Sequence, residues 1–429
     1  MKKIYLLFLS FLLSFQVLHA YNVVVAKDGT GDVKTVQAAF DKVPTNNSST
    51  FTIYVKKGTY YEKLDLTATK TNVSLIGEDK NTVILTYDDY GSKSGVGGTD
   101  NSYSTLIEAD NFYAENITFQ NTIDSRLSQY SSGGQAVALM LKGDKTILYN
   151  CLIQGFQDTF YTKGLGRTYV KCCQIEGTTD FIFGAGIAVF ESCTLLNKKN
   201  SYTTAAANLS QNNKYNYVFF NCKLIADAGV TGAFLGRPWK QYAKVVYLRC
   251  EEGSHITPAG WADWSSATYA STAYFAEYKC TGPGFSPSTR LSWTHQLSDA
   301  EAATYTLANI FAASAASPAY SSSWTPTVST NSCSTIVLGA DETLATNQGT
   351  YVSPNPASTY LDIHFGTSLS HPSYLRIYDI KGVVVYEAPL KNETISTRIN
   401  IEKLSKGLYF YSISGSTRVD QGKFIVSGE

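Results

Sequence analysis

Charge is scarce in this 429-residue chain: Asp, Glu, Lys and Arg make up 16% of it, and their formal sum is zero. A balanced, sparsely charged surface supports neither nucleic-acid binding nor adhesion to an acidic membrane, both of which use basic clusters. Histidine is scarcer still, with 5 in all. Beyond residue 20 only His255, His295, His364 and His371 remain. No Gly-x-Ser-x-Gly elbow occurs, and none of those histidines falls in the motif-rich stretch described below, which argues against a serine triad. None accompanies the cysteines at ligand spacing, so no metal site is expected. Beyond residue 20, no apolar run is long enough to span a bilayer.

The one pronounced apolar run stands at the start. Lys2 and Lys3 precede Ile4 to Phe15, and His19-Ala20 offers a cleavage point. This is the pattern of a secretory signal over residues 1–20, so the mature protein is expected outside the cell without a membrane span. Aromatic residues are plentiful at 13%, which suits a β-rich core and a carbohydrate-binding surface alike.

Periodicity supplies the organising signal. Gln135 and Gln157 are 22 residues apart, as are Asp158 and Asp180. Cys151, Cys172 and Cys193 recur every 21 residues, and the same phrase returns around Cys222 and Cys250. A period near 21 is too short for a helical pair or a propeller blade, but fits one coil of a parallel β-helix. Residues one period apart would then stack on strands about 4.8 Å apart. Asp158 and Asp180 become adjacent carboxylates, Gln135 stacks near Gln157, and the cysteines fill the coil interior as free thiols with room for one bridge. Removing a seven-residue insertion would bring Arg237 into the Asp180 column, two rungs on.

Around this stretch, Lys34 to Val43 has helical spacing and is expected to cap the first coil. Residues 21–311 form the solenoid in this reading. Residues 312–350, rich in Ala, Ser and Thr, read as a linker that holds Cys333. From 351 to 429, short alternating runs between Gly, Pro, Asn and Ser turns predict a small β-sandwich. The fold class is therefore all-β: a parallel β-helix followed by a C-terminal sandwich.

Five motifs in order carry a family resemblance: Gly58-Thr59-Tyr60-Tyr61-Glu62, Gln135-Ala136-Val137, Gln157-Asp158-Thr159-Phe160, Gly177 to Gly184, and Leu235-Gly236-Arg237-Pro238-Trp239. Together they resemble the pectin methylesterases of carbohydrate esterase family 8, over roughly residues 22–311. Phe160 stands where the family has Leu and Thr179 where it has Val; both changes leave the reactive groups in place. The resemblance implies a right-handed β-helix that hydrolyses methyl esters of homogalacturonan without cofactor or metal. It makes Asp180 the nucleophile, Asp158 the general acid and then base, and Gln135 and Gln157 the oxyanion donors. Arg237 would orient Asp180, and Trp239 would pack against the sugar. Phe156 and Tyr161 flank the site and either line the methyl pocket or pack the coil; Phe160 is expected to pack, and Glu62 to be structural. A calcium-dependent lyase on the same scaffold and a non-catalytic pectin-binding solenoid remain the competing readings.

The C-terminal region resembles the sorting domain of type IX secretion, through Ser353-Pro354-Asn355-Pro356-Ala357, Leu375 to Gly382 and Leu404 to Tyr409. That resemblance implies the type IX machinery as a partner, delivery to the medium or cell surface, and removal of the domain. The protein is expected to act as a monomer.

Overall fold

The computed structural model describes residues 21–208, 210–264, 268–316, 318–328, 333, 351–353, 357–364, 373–379, 383–391, 394, 396–414 and 419–426. The signal segment, most of the second half of the expected linker, and Pro354 to Pro356 and Ile380 to Gly382 of the sorting motifs lie outside them. The chain divides into two compact units, before and after residues 335–336.

In the first unit three parallel sheets, in chain order of 11, 8 and 7 strands, run side by side as the faces of a coil. One turn of the coil takes Thr146–Tyr149, Leu152–Gln154 and Phe160–Thr162; the next takes Arg167–Lys171, Gln174–Gly177 and Ile182–Gly184. Every pairing within these sheets is parallel, with Tyr149 level with Lys171 and Phe160 level with Ile182. Inward-facing side chains such as Leu148, Ile153, Phe160, Ile175 and Phe190 form one continuous core. The strands are short because each needs only enough alternating residues to cross one face.

The cysteine ladder exists, with a corrected member. Tyr149 pairs with Lys171, and Lys171 with Glu191, so Cys173, not Cys172, is level with Cys151 and Cys193. The true spacings are 22 and then 20 residues, whose mean made Cys172 look regular. Cys151, Cys173, Cys193, Cys222, Cys250 and Cys280 are all buried free thiols. Ile117 fills the same column one coil before Cys151. Cys172 sits in the bend between the first two sheets with φ +56, in a column of left-handed residues that includes Asn116, Asn150, Ser192 and Asn221. Asn tolerates that conformation because its short polar side chain bonds locally. Cys172 instead forms a disulfide with Cys333.

The predicted cap is the helix Val36–Lys42, with Val36, Ala39 and Phe40 buried over the first coil. Glu62 is indeed structural: its carboxylate accepts from the Val36 and Gln37 amides at 3.0 and 3.1 Å, at the helix end where unpaired N–H groups favour an anion.

Composition assigns 312–328 to the linker, but the structure docks these residues on the outer face of the first sheet. Ala315 and Ala316 are buried there with Tyr169, Val189 and Val218, and Tyr320 and Trp324 pack alongside. Small side chains allow this close approach, which composition alone reads as looseness. Arg167, fully buried, bonds Asp144 at 2.9 and 2.6 Å and the carbonyls of Phe311 and Ser322 at 2.9 and 2.7 Å. Replacing Arg167 with Ala strands those acceptors and is expected to cost about 3 kcal/mol in denaturant unfolding. A loss below about 1 kcal/mol, the scale of an exposed pair, would contradict this role.

The second unit is a sandwich of one three-stranded and one four-stranded antiparallel sheet. Leu361, Ile363 and Ile399 of one sheet and Leu375, Ile377, Tyr411 and Phe424 of the other share its core.

Candidate active site

The Phe160–Ile182 register carries back two residues to place Asp158 level with Asp180 on neighbouring coils, about 4.8 Å apart along the axis. Both adopt left-handed backbone, φ +62 and +50, at the bend into the third sheet. Their amides donate to the Thr179 and Tyr202 carbonyls at 3.0 and 2.8 Å, which fixes the bend. Gly177 is required beside them: a Cβ there would lie 2.3 Å from Phe181 Cβ and 2.5 Å from the Phe156 carbonyl oxygen. Gly236 meets the same demand, since its Cβ would lie 1.9 Å from Thr204 Oγ1. The glycines of the two motifs let adjacent coils close up around the site.

Arg237 comes from Phe234–Pro238, two coils beyond Asp180. The coil count was right and the column was not: Arg237 is level with Ala205, and Ala205 with Phe183, three residues past Asp180. The long side chain reaches back instead, and Nε and Nη2 hold Oδ1 and Oδ2 of Asp180 at 3.0 and 2.7 Å. This two-bond fork fixes the carboxylate's orientation as well as its charge.

Burial pushes the pKa of both acids upward. Asp158 is half-buried at the cleft; desolvation carries it well above the usual carboxylate range, the Asp180 charge adds to the rise, and Arg237 opposes it. Asp180 is raised by desolvation too, but its hydrogen bonds and charge pairing with Arg237 pull the other way. Two neighbouring carboxyls do not readily ionise together, and the Arg237 fork favours the negative charge on Asp180 and the proton on Asp158.

Both acids open into a cleft of about 570 Å³ that Gln135, Gln157, Tyr161, Arg237 and Trp239 also line. The Gln157 carbonyl accepts from the Ala136 amide at 3.1 Å, so Gln135 lies one residue out of step with Gln157; both still border the cleft. Tyr161 stacks on Phe183 with centroids 4.1 Å apart, and Trp239 lies 5.9 Å from Phe183. These rings form one apolar cluster with Met140 and Leu106 at the floor of the cleft. Phe156 is not part of that lining; its ring takes Arg126 at 4.9 Å and Lys198 at 4.7 Å. Phe160 is fully buried in the core.

Four lining or supporting residues were not among the candidate site residues. Phe183, inside the Gly177 to Gly184 motif, was legible as the strand residue next to core-facing Ile182 and so on the opposite face. Asp100, from the segment between the strands Val83–Tyr87 and Thr105–Ile107, pairs with Lys163 at 2.6 Å at the cleft edge. Tyr202 and Trp264 flank the Arg237 guanidinium at 4.0 and 4.1 Å. Tyr202 falls 22 residues after Asp180, in the same column, whereas no periodic signal marks Asp100 or Trp264.

Among the described residues one group has metal-ligand proximity, Glu252, Glu277 and Cys280, all buried. Arg290 already occupies the cation position there, 2.6 Å from Glu252 and 2.9 Å from Glu277.

A parallel β-helix carrying an arginine-held acid pair in an aromatic cleft on one outer sheet is the class that fold and site define. Residues 22–314 match the Pectinesterase family model, and residues 351–427 match the model of the secretion system C-terminal sorting domain. The chain belongs to the pectinesterase family. It is 38% identical over 285 residues to pectinesterase/pectinesterase inhibitor 18 of Arabidopsis thaliana, covering 63% of this chain and 49% of that protein. It thus spans about half that relative's length. Among solved structures it is similar to the pectin methylesterase from carrot, with TM-score 0.63, 30% identity, and coverage of 69% of this chain and 94% of that one. The pectin methylesterase from Erwinia chrysanthemi gives TM-score 0.59 and 28% identity, over 68% of this chain and 96% of that one.

Proposed function

We propose that the protein is an exported pectin methylesterase that hydrolyses methyl esters of galacturonan to pectate and methanol through an aspartate nucleophile. The observation that carries this reading is the bidentate grip of Arg237 on Asp180 beside Asp158, which has no such partner among the described residues and opens into the same cleft. It separates one anion from one acid, as two-step acyl transfer needs.

In the first step an Asp180 oxygen attacks the ester carbonyl carbon, and negative charge moves to the carbonyl oxygen. The side-chain amides of Gln135 and Gln157, both at the cleft wall, are the donors suited to that charge. Collapse breaks the bond to the methoxy oxygen, Asp158 gives its proton, and methanol leaves an anhydride between the sugar carboxyl and Asp180. Asp158, now a carboxylate, takes a proton from water. The hydroxide attacks the anhydride, freeing the sugar as its carboxylic acid and restoring the Asp180 carboxylate, with the water-derived proton kept on Asp158; the product then gives its own proton to solvent and leaves as galacturonate. The lyase alternative needs a free arginine base, whereas both forks of Arg237 are taken by Asp180.

The reading is tested by methanol release from methylated pectin, against polygalacturonate as blank. Binding without methanol would instead favour a non-catalytic solenoid. Gln157→Ala is expected to lower kcat about 10²- to 10³-fold with little change in KM, because the donor acts on charge that exists only in the transition state. A KM effect alone would assign Gln157 to binding. The sorting-domain match supports delivery to the medium or cell surface by the type IX machinery, with that domain removed.

A further inference from the structure

We propose that Tyr202 is a positioning residue of this site: its ring, together with Trp264, holds the Arg237 guanidinium in its two-bond grip on Asp180.

Arg237 starts three residues out of column from Asp180 and must cross two coils to reach it. A side chain with four torsions has many ways to miss such a target. Two of its nitrogens are committed to the Asp180 oxygens, at 3.0 and 2.7 Å, and those bonds alone leave the guanidinium plane free to swing about Asp180. The guanidinium carbon lies over two rings, 4.0 Å from the Tyr202 centroid and 4.1 Å from the Trp264 centroid. Arginine stacks on aromatic faces through both charge and shape, and partial desolvation strengthens the attraction.

Tyr202 is itself braced. Its ring stacks on Phe234 of the next coil at 5.2 Å, and the strand register sets the two residues level. Its carbonyl accepts the Asp180 amide at 2.8 Å, so the ring and the carboxylate it serves share one local frame. Trp264 lines the cleft, whereas Tyr202 does not. Removing the Tyr202 ring therefore tests the support of Arg237 without removing a cleft wall.

The charged groups facing Asp180 are Asp158 from the preceding coil and Arg237 from two coils on. Tyr161 faces Asp158, with Asp100 bonded behind it. A loosened Arg237 weakens the one cation in this set, so Asp180 takes up a proton at higher pH. The carboxylate nucleophile is then lost earlier on acidification.

The test uses the full chain as Tyr202→Leu and Tyr202→Phe, with aspartate labelled with ¹³C at the side-chain carboxyl. The Asp180 resonance is identified from its disappearance in Asp180→Asn. For Tyr202→Leu the expected results are an Asp180 titration displaced to higher pH and a fall in kcat/KM on pectin of about ten- to a hundredfold. The acid limb of the pH profile should move in the same direction. Tyr202→Phe keeps the ring and should match the parent in both readouts. Should Tyr202→Leu unfold, Tyr202→Met, of similar reach but with no ring, takes its place with the same expectations. An unchanged Asp180 titration in the ringless variant, or a Tyr202→Phe variant as impaired as it, overturns the proposal. The kinetic readout rests on the esterase reading and the titration does not. If the parent releases no methanol, that reading falls and the titration still decides the role of Tyr202.

Discussion

Asp180→Asn is expected to reduce methanol release from methylated pectin by at least about 10⁴-fold while leaving substrate affinity nearly unchanged. The amide keeps the shape of the carboxyl and can still accept one hydrogen bond from Arg237, so the coil should stay intact. What it lacks is the nucleophilic oxygen and the charge that Arg237 selects. The removed charge also contributes to the rise of Asp158, which should fall toward the ordinary range although burial keeps it elevated. Thermal unfolding close to that of the parent, together with lost turnover, identifies a chemical defect. Turnover within about tenfold of the parent would mean that another group attacks the ester.

Asp158→Asn should be the next most damaging change, at about 10²- to 10⁴-fold in kcat/KM on methyl esters, the usual reach of a positioned acid or base. Methoxide is a poor leaving group and needs the Asp158 proton, whereas a nitrophenolate does not. The deficit on a nitrophenyl ester of galacturonate should therefore be much smaller. The pH profile gives a second handle. Asp158 must be protonated for the first step, and burial raises its pKa, so parent activity is lost as pH climbs through that raised value. Asp180 must be ionised, so activity is also lost on acidification. Asp158→Asn should lose the alkaline limb and keep the acid one. An equal deficit on both leaving groups would remove Asp158 from the role of acid.

The solenoid was legible because a repeat converts sequence distance into neighbouring coils, and Asp158 with Asp180 shows how well this works when coil length is constant. Where coil length varies, the same arithmetic slips by a residue or more. The adjacent Cys172 and Cys173 blurred a 22-residue coil and a 20-residue coil into one average. Arg237 was placed in the wrong column because the insertion in its coil lies where no periodic residue marks it; only the length of its side chain restored the contact. Tyr202 continues the 22-residue column of Asp158 and Asp180, but its stacking role and that of Trp264 were invisible for a different reason. Their role depends on a guanidinium that is itself out of register, and nothing in a repeat encodes that. The docking of 312–328 was hidden because Ala and Ser serve a tight interface and a loose tether equally well.

The central claim is that one ester group sits against both acids at once. The most direct test is a crystal structure of the Asp180→Asn protein with a methyl-esterified galacturonate oligosaccharide. The account predicts the ester carbon about 3–3.5 Å from the residue 180 side chain, with the methoxy oxygen toward Asp158 and the carbonyl oxygen toward Gln135 and Gln157. An oligosaccharide bound in the cleft with its ester turned away from both residues, or bound elsewhere on the coil, would contradict it.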